Sequence, residues 1–304
     1  MTPTTPSTRQ TLSYLRNLFA ERGIKPRNKL GQNFLIDLNL LDLLLRSAEL
    51  TREDLVLEVG SGTGSLTARL VEQAGAVVSV EIDPNFSALT EESVPSRERI
   101  AFLHHDILKN KNELNPEALR AVTDLGQRCG TQRVKLVSNL PYAVAVPVLT
   151  NLLLCELAVE RMVVTVQWEI AERLLAVPGT KDYGALAVLV QSLADVELIR
   201  RLSPKVFWPR PMVDSAIVRI CPNAAKRRHV GDPMRFRVFL RDLYVHRRKN
   251  LRGALATLPN RDLSKSQVDA SLAEMGIDGS LRAEVLDIEH HLRLCERFGY
   301  QPEA

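Results

Sequence analysis

The stretch from Leu55 to Asp83 constrains the fold more than any other part of the chain. Leu55-Val56-Leu57-Glu58-Val59-Gly60 reads as a buried parallel strand, Ser61-Gly62-Thr63-Gly64-Ser65 as a glycine-rich turn, and Leu66 to Gln73 as a helix. Val77-Val78-Ser79-Val80-Glu81-Ile82-Asp83 follows as a second strand. Strand, glycine turn, helix and strand in that order predict an α/β fold built on a parallel sheet. Glycines let a backbone come close to a ligand, and the helix start offers free N–H groups. Glu81 closes the second strand ~20 residues beyond the loop, where a carboxylate can bind both hydroxyls of a ribose. The dinucleotide fingerprint is G-x-G-x-x-G, whereas the glycines here run Gly60-x-Gly62-x-Gly64, with Glu58 in the strand before them. A loop of this shape that holds no nucleotide is the plainer alternative.

Further strand ends add chemistry. Ala101 to Asp106 reads as a third strand, and Asp106 at its end suits either the exocyclic amine of an adenine or a turn. Val134-Lys135-Leu136-Val137 is a fourth strand, followed by Ser138-Asn139-Leu140-Pro141-Tyr142 and an apolar helix from Ala143 to Leu154. A strand end facing a helix start is where open α/β sheets take ligands. The Asn139 amide offers one acceptor and two donors in fixed geometry, and Tyr142 a flat ring. That set fits a planar base carrying an NH2 group, although Asn-x-Pro alone is ordinary turn punctuation. Met162 to Trp168, Glu197 to Leu202 and Asp214 to Cys221 read as later strands, and the proline-rich Lys205 to Pro211 as an ordered loop. The polar connection from Leu108 to Arg133 is expected to be helical in part.

With 304 residues, 45% hydrophobic and 25% charged, the chain has the composition of a soluble globular protein. Net charge is only +4, but the cations cluster. Lys25, Arg27 and Lys29 fall within five residues. A helix expected from Met234 to Leu258 carries Arg235, Arg237, Arg241, Arg247, Arg248, Lys249 and Arg252 on one face, with Asp242 as its only acid. A solvated face usually mixes both signs, so the helix points to nucleic-acid phosphate, while the 25–29 cluster suits either a phosphate-meeting surface or a solvated linker. The C-terminal part reads as helices, including Ser264 to Met275 and Leu281 to Phe298, after a basic linker at 222–230. The domain boundary is therefore placed at 223/224: residues 9–223 form the first domain, 224–304 the second, and 1–8 a disordered tail. Cys129, Cys155, Cys221 and Cys295 lie far apart, and the adjacent pairs His104-His105 and His290-His291 point their side chains apart. Neither set predicts a metal site. No apolar run approaches membrane-spanning length and no signal peptide is evident, which predicts a cytoplasmic protein with no membrane partner.

Taken in order, these stretches resemble the ribosomal RNA adenine N6-dimethyltransferase family, most closely its bacterial small-subunit branch. The resemblance runs from Lys25 to the C-terminus. It rests on Gly-Gln-Asn-Phe-Leu at 31–35, Glu-Val-Gly-Ser-Gly-Thr-Gly at 58–64, Val-Glu-Ile-Asp at 80–83, Asp106, and Asn-Leu-Pro-Tyr at 139–142. Gln-Trp-Glu-Ile-Ala-Glu-Arg-Leu at 167–174, Tyr-Gly at 183–184, Phe-Trp-Pro-Arg-Pro-Met-Val-Asp-Ser-Ala at 207–216 and His-Arg-Arg-Lys-Asn-Leu-Arg at 246–252 complete it. Two departures stand out: Ser61 replaces the usual proline, and Ala143-Val144-Ala145-Val146 lacks the hydroxyl residue that usually follows the tyrosine.

The resemblance implies a Rossmann-like seven-stranded class I methyltransferase domain and a small all-helical C-terminal domain. It implies S-adenosylmethionine as cofactor, held by Asn33, Leu35, Gly60, Glu81, Asp106 and Asn139. The catalytic set it implies is Asn139, Leu140, Tyr142 and Phe207, with the two rings clamping a flipped adenine. The implied substrate is 16S rRNA in the 30S subunit or its precursor, where a monomer would dimethylate N6 of two adjacent adenosines in the 3′-terminal hairpin loop. Lys25, Arg27, Lys29, Arg235, Arg241, Arg247, Arg248, Lys249 and Arg252 would form the basic surface. Two alternatives share the motifs: a 23S rRNA adenine methyltransferase of the macrolide-resistance type, and a non-catalytic RNA-binding factor. Gly31 and the Arg-Arg-Lys helix favour the small-subunit branch. The intact Glu58, Gly60, Gly62, Glu81 and Asn139 argue against lost catalysis.

Overall fold

A computed structural model describes residues 10–27, 31–94, 96–259 and 263–300. Its main sheet has seven strands: β1 (Asp54–Val59), β2 (Ala76–Val80), β3 (Ile100–Leu103), β4 (Arg133–Asn139), β5 (Val159–Gln167), β6 (Ala194–Leu202) and β7 (Ser215–Pro222). Their order is β3-β2-β1-β4-β5-β7-β6. The pairs from β3 to β5 are parallel, and β7 runs antiparallel to β5. Every residue of β1 and β2 is buried, as expected for parallel strands covered on both faces. The chain travels outward from β1 to β3 and then returns to place β4 on the other side of β1. The crevice at the carboxyl ends of β1 and β4 is therefore the topological switch point, the place where such sheets bind ligands.

The helices of the N-terminal part are α1 (Leu12–Arg22), α2 (Leu38–Ala48), α3 (Ser65–Gln73), α4 (Pro84–Ser93), α5 (Pro116–Cys129) and α6 (Ala145–Leu154). Their caps are visible in the sequence: Thr11, Asp37, Asp83 and Asn115 each accept from a backbone N–H one turn in. Helix α2 buries Leu41, Leu44, Leu45 and Ala48 against the sheet. Its C-terminus is tied to the sheet by Lys135, whose Nζ donates to the carbonyls of Ala48 (3.2 Å) and Glu49 (2.8 Å) and to Asp54 Oδ2 (3.1 Å). Lys135 and Asp54 are both fully inside, and Asp54 also pairs with Arg133 at 2.8 Å. Removing Asp54 would leave the Lys135 ammonium buried with carbonyl partners alone, a change that costs about 3–5 kcal/mol. A second cluster holds α1 in place. Phe19 lies 5.4 Å from Phe34, 5.5 Å from Phe86 and 5.2 Å from Trp208, ring centre to ring centre.

The chain divides into two compact units. The first comprises residues up to Ala171 together with Glu197–Cys221, and the second Glu172–Val196 with Pro222 onward. The boundary expected at 223/224 thus leaves 172–196 on the other side, because α8 (Ala185–Gln191) packs on the C-terminal helix Pro233–Val245. Helix α7 (Trp168–Leu175) spans the first junction. The second unit continues with α9 (Ala224–Val230), α10 (Pro233–Val245), α11 (Leu251–Leu255), α12 (Lys265–Glu274) and α13 (Ile288–Phe298). Phe236, Phe239, Leu240 and Leu243 form the buried stripe of α10. His291 of α13 is wholly buried, with Nε2 3.1 Å from the Tyr244 hydroxyl and Nδ1 2.7 Å from the Asp287 carbonyl.

Several local expectations are corrected. The basic linker at 222–230 is helix α9, started by Asn223, whose side chain accepts from Ala225 and Lys226 N–H. The long helix from Met234 to Leu258 is broken between α10 and α11, where Asn250 caps the new helix by accepting from Gly253 N–H. The helix from Leu281 is only a 3-10 turn at Ala283–Val285 before α13, which Asp287 caps. The 205–211 loop contains a two-residue strand, Phe207–Trp208, paired with Phe34–Leu35. Residues 108–133 hold a small hairpin, Leu108–Asn110 with Glu113–Leu114, ahead of α5. The expected tail at 1–8 lies outside the described residues. None of the four cysteines forms a disulfide, and no described helix is long and apolar enough to cross a membrane.

Candidate active site

The glycine loop leaves β1 with Gly60, Gly62 and Gly64 at φ of 77°, 59° and 76°, the left-handed region that glycine alone enters without strain. Space excludes a side chain as well. A Cβ on Gly60 would lie 2.7 Å from Pro141 Cγ, and one on Gly62 would lie 2.9 Å from the Phe34 ring. The loop is thus pressed between the 139–142 turn and the 31–35 segment. It wraps around Glu81, whose two carboxylate oxygens accept from Gly62 N–H (2.9 Å) and Asp83 N–H (3.0 Å). Each oxygen keeps a lone pair for a ligand hydroxyl. Burial pushes Glu81 above the usual carboxylate range in spite of these bonds. Glu58 is buried more completely, and that burial pushes it up to about 7 against donation from Thr67 Oγ1 (2.6 Å) and Ser79 Oγ (3.3 Å).

Glu58, Gly60, Gly62 and Glu81 line one cleft of about 200 Å³. Asn33, Leu35, Gly60, Glu81, Asp106 and Asn139 all border it. Asp106 Oδ1 accepts from Leu108 N–H at 2.9 Å, and its exposed carboxylate keeps further acceptor capacity. Asn139, the last residue of β4, donates from Nδ2 to the Asn33 carbonyl at 2.8 Å. Its Oδ1 accepts from the Thr165 hydroxyl on β5, directly across the ladder. The amide is therefore fixed in rotation, with one lone pair of Oδ1 left over. Leu140, Tyr142 and Phe207 do not line the cleft. The Tyr142 hydroxyl lies 2.6 Å from Ser215 Oγ, which holds a half-buried ring. Phe207 is only 3% exposed and packs among Leu35, Ile217 and their neighbours. Stacking on Phe207 requires its ring to leave that cluster; stacking on Tyr142 requires no such movement.

Two residues of the cleft, and a third that holds Asn139 from behind, escape sequence reasoning. Gln10 is buried at the cleft, donating from Nε2 to the Thr63 carbonyl at 2.9 Å and accepting from the Thr63 hydroxyl. Ser65, the first residue of α3, has a buried hydroxyl oxygen with no partner. Thr165 sits inside an apolar strand run where nothing local marks its hydroxyl as functional.

The basic clusters are less open than their composition implies. Arg235 Nη2 donates to the carbonyls of Cys295 (3.0 Å) and Glu296 (3.1 Å), closing the end of α13. Arg241 pairs with Asp242 at 2.8 Å, Arg247 with Glu284 at 2.9 Å and Arg252 with Asp269 at 2.7 Å. Among the described residues no acid pairs with Arg248 or Lys249, both exposed. Arg27 Nε is 3.8 Å from Asp83, Lys25 is exposed, and Lys29 lies outside the described residues. No cluster of metal-ligating side chains occurs among the described residues.

Residues 23–298 match the family model described as ribosomal RNA adenine dimethylase. The chain belongs to the ribosomal RNA adenine dimethylase family. Among similar proteins of this family, "Ribosomal RNA small subunit methyltransferase A" of Pelotomaculum thermopropionicum is 37% identical over 93% of this chain and 95% of its own length. The protein of the same name from Pediococcus pentosaceus is 36% identical over 93% of both chains. A dimethyladenosine transferase from Plasmodium falciparum has the same fold, with a TM-score of 0.67 and 22% identity over 86% of this chain and 96% of that one. The 23S rRNA methyltransferase ErmE gives a TM-score of 0.59 and 26% identity over 87% of this chain and 99% of that one.

Methyltransferases of the adenine dimethylase family use S-adenosylmethionine. The cleft fits that group on its own chemistry. The paired acceptors of Glu81 suit a ribose diol, the side-chain-free glycine loop suits close backbone approach, and the unpartnered Ser65 hydroxyl awaits a polar ligand atom.

Proposed function

We propose that this chain dimethylates N6 of two adjacent adenosines in the 3′-terminal hairpin loop of 16S rRNA, acting as a cytoplasmic monomer on the 30S subunit or its precursor. The observation that carries this reading is the Asn139 amide, locked by Thr165 and Asn33 with one acceptor position free, at the edge of the cleft that holds Glu81. Bound S-adenosylmethionine would supply a methyl group on a sulfonium, electrophilic enough to need no protein nucleophile or metal. The difficulty lies at adenine N6, whose lone pair is delocalised into the ring. Asn139 Oδ1 and the Leu140 carbonyl accept hydrogen bonds from the two N6–H groups and draw the nitrogen toward tetrahedral geometry; as N6 gains the methyl it would release one N6 proton to water. That alignment and charge stabilisation are what the protein contributes. Tyr142 stacks on the extruded base, a contact of ~1–3 kcal/mol, and Phe207 joins only if its ring leaves the core. Asn33, Leu35, Gly60, Glu81 and Asp106 hold the cofactor, Glu81 through the ribose and Asp106 through the adenine amine. On the second round a monomethyl amine offers one N–H fewer, so one acceptor bond is lost.

The small-subunit reading is supported by the names of relatives at 36–37% identity, against 26% for the 23S enzyme. The retained Asn139 constellation argues against a non-catalytic factor. Within the second unit, Arg248 and Lys249 are the cations best placed to meet RNA phosphate, and within the first unit Lys25 is exposed for the same role. Transfer of labelled methyl groups to 30S particles from a strain lacking the modification tests the reading. Incorporation into 30S and not 50S material is expected. Incorporation into 50S material instead would favour the 23S alternative, and incorporation into neither would favour a binding factor.

A further inference from the structure

Beside the Asn139 turn, on the same edge of the sheet, the chain carries an aromatic side chain that the methyl-transfer account does not use. Trp168 directly follows β5, three residues beyond Thr165, and Thr165 lies opposite Asn139. At a strand rise of ~3.3 Å per residue, Trp168 stands ~10 Å farther along the carboxyl edge, about one nucleotide's reach from the target base. The guanidinium carbon of Arg201 sits 4.2 Å from the centre of the Trp168 ring. Asp214 fixes both partners. Its carbonyl accepts from Trp168 N–H at 2.9 Å, and its Oδ2 accepts from Arg201 Nε at 2.8 Å and pairs with Nη2 at 2.6 Å. The next residue, Ser215, holds the Tyr142 hydroxyl at 2.6 Å. Two consecutive residues therefore anchor both the ring assigned to the target base and the Trp168–Arg201 stack.

We infer that Trp168 and Arg201 form a stacking platform for the nucleobase of a single-stranded RNA nucleotide next to the adenosine in the active site. The inference rests on the RNA-methylating reading above and adds a second base subsite to it. Arg201 is 56% exposed, so its outer face is open to a planar ring. Asp214 occupies only the Nε–Nη2 edge of the guanidinium, which leaves Nη1 to face a phosphate or a base edge. As a stabilising contact alone, an exposed cation–π pair contributes only ~0.5–1 kcal/mol, less than one stacked base. A substrate with two adjacent adenosines also needs somewhere to keep one base while the other is in the active site. The ligand class is a nucleobase of any identity, because stacking reads a flat face and not a hydrogen-bond pattern.

The chain has two tryptophans, and the other, Trp208, is packed 5.2 Å from Phe19 in the aromatic cluster. In a Trp208→Phe variant of the full chain, Trp168 is the only indole. Titration with a hairpin RNA carrying two adjacent loop adenosines should quench its fluorescence in step with binding followed by anisotropy of the labelled hairpin. An abasic nucleotide beside the target should abolish the quench. On 30S particles Trp168→Leu should raise KM about ten-fold, within the range of one stacked base, with kcat little changed. Trp168→Phe should restore most of the loss, and cofactor binding should not change in either. Hairpin binding without quench, or an unchanged 30S KM in Trp168→Leu, would overturn the platform. Quench without methyl transfer to any ribosomal RNA would leave the platform standing and count against the reaction instead.

Discussion

The Asn139 side chain donates to the main-chain carbonyl of Asn33 at 2.8 Å, tying the end of β4 to a segment 106 residues earlier. The residue assigned to the reacting base thereby senses the position of the 31–35 segment, which forms one wall of the cofactor cleft. Thr165 completes the arrangement from β5 by donating to Asn139 Oδ1.

Thr165→Val removes that hydroxyl while keeping the shape of the side chain. A neutral hydrogen bond has a net worth of about 1 kcal/mol, so kcat for methyl transfer should fall roughly five-fold or more as the amide gains freedom to rotate. The cofactor dissociation constant, measured by calorimetry, should stay within a factor of two. A loss of cofactor affinity with unchanged kcat would assign Thr165 to folding of the cleft instead.

Gly60→Ala places a Cβ 2.7 Å from Pro141 Cγ at a φ of 77°. The left-handed backbone alone costs a non-glycine residue about 1–2 kcal/mol, and Pro141 has no room to yield without moving Asn139. Both the denaturation midpoint and cofactor affinity should fall, the latter at least ten-fold. A variant with normal affinity would show that the loop does not approach its ligand closely.

Glu58 and His291 give opposite pH signatures. Burial raises Glu58 from 4.5 to about 7, so the folded state holds a proton the unfolded state has lost, and stability falls as pH rises from 4.5 through 7. The full span is roughly 3 kcal/mol. Burial lowers His291 from 6.5 to about 4, so stability rises with pH from 4 to 6.5. Glu58→Gln should weaken the falling component, leaving only the smaller part that Glu81 contributes, and so steepen the rise that His291 gives across pH 4–6.5 in denaturant titrations. A profile unchanged by that substitution would place Glu58 in water.

For the basic surface, Arg248→Glu with Lys249→Glu should weaken binding to 30S particles and lower the slope of log K against log salt by about 1.5, near 0.7–0.9 per lost phosphate contact. Arg252→Glu breaks its pair with Asp269, so it should lower thermal stability as well as binding. Equal binding in the double variant would assign Arg248 and Lys249 to solvation.

What could be read from the sequence was mostly local. The β1–loop–α3–β2 unit and the Asn139 turn show themselves through short-range composition: apolar runs, glycines at fixed spacing, and a proline beside an amide. The seven-stranded sheet follows from those runs together with the family resemblance. Long-range partners were not legible. Nothing near Thr165 says that its hydroxyl faces Asn139, because the β4–β5 register is set only when the strands pair. Gln10 reaches Thr63 across 53 residues, and Arg247 and Arg252 meet Glu284 and Asp269 from separate elements. The α10–α11 break was missed because the apolar stripe continues across it, while the Asn250 cap that ends the pattern is a single residue. Phe207 has the sequence context of an exposed loop aromatic, but its pairing with Leu35 draws it into the core.

The central claim is that this cleft methylates adenine N6 in small-subunit ribosomal RNA through Asn139. Its most direct test is mass spectrometry of the 3′-terminal 16S rRNA fragment after incubating unmodified 30S particles with cofactor and either the wild-type protein or Asn139→Ala. The account predicts N6,N6-dimethyladenosine at two adjacent positions with wild type and none with the variant, although the variant still binds cofactor. Unmodified adenosines with wild type, or full dimethylation by Asn139→Ala, would contradict it.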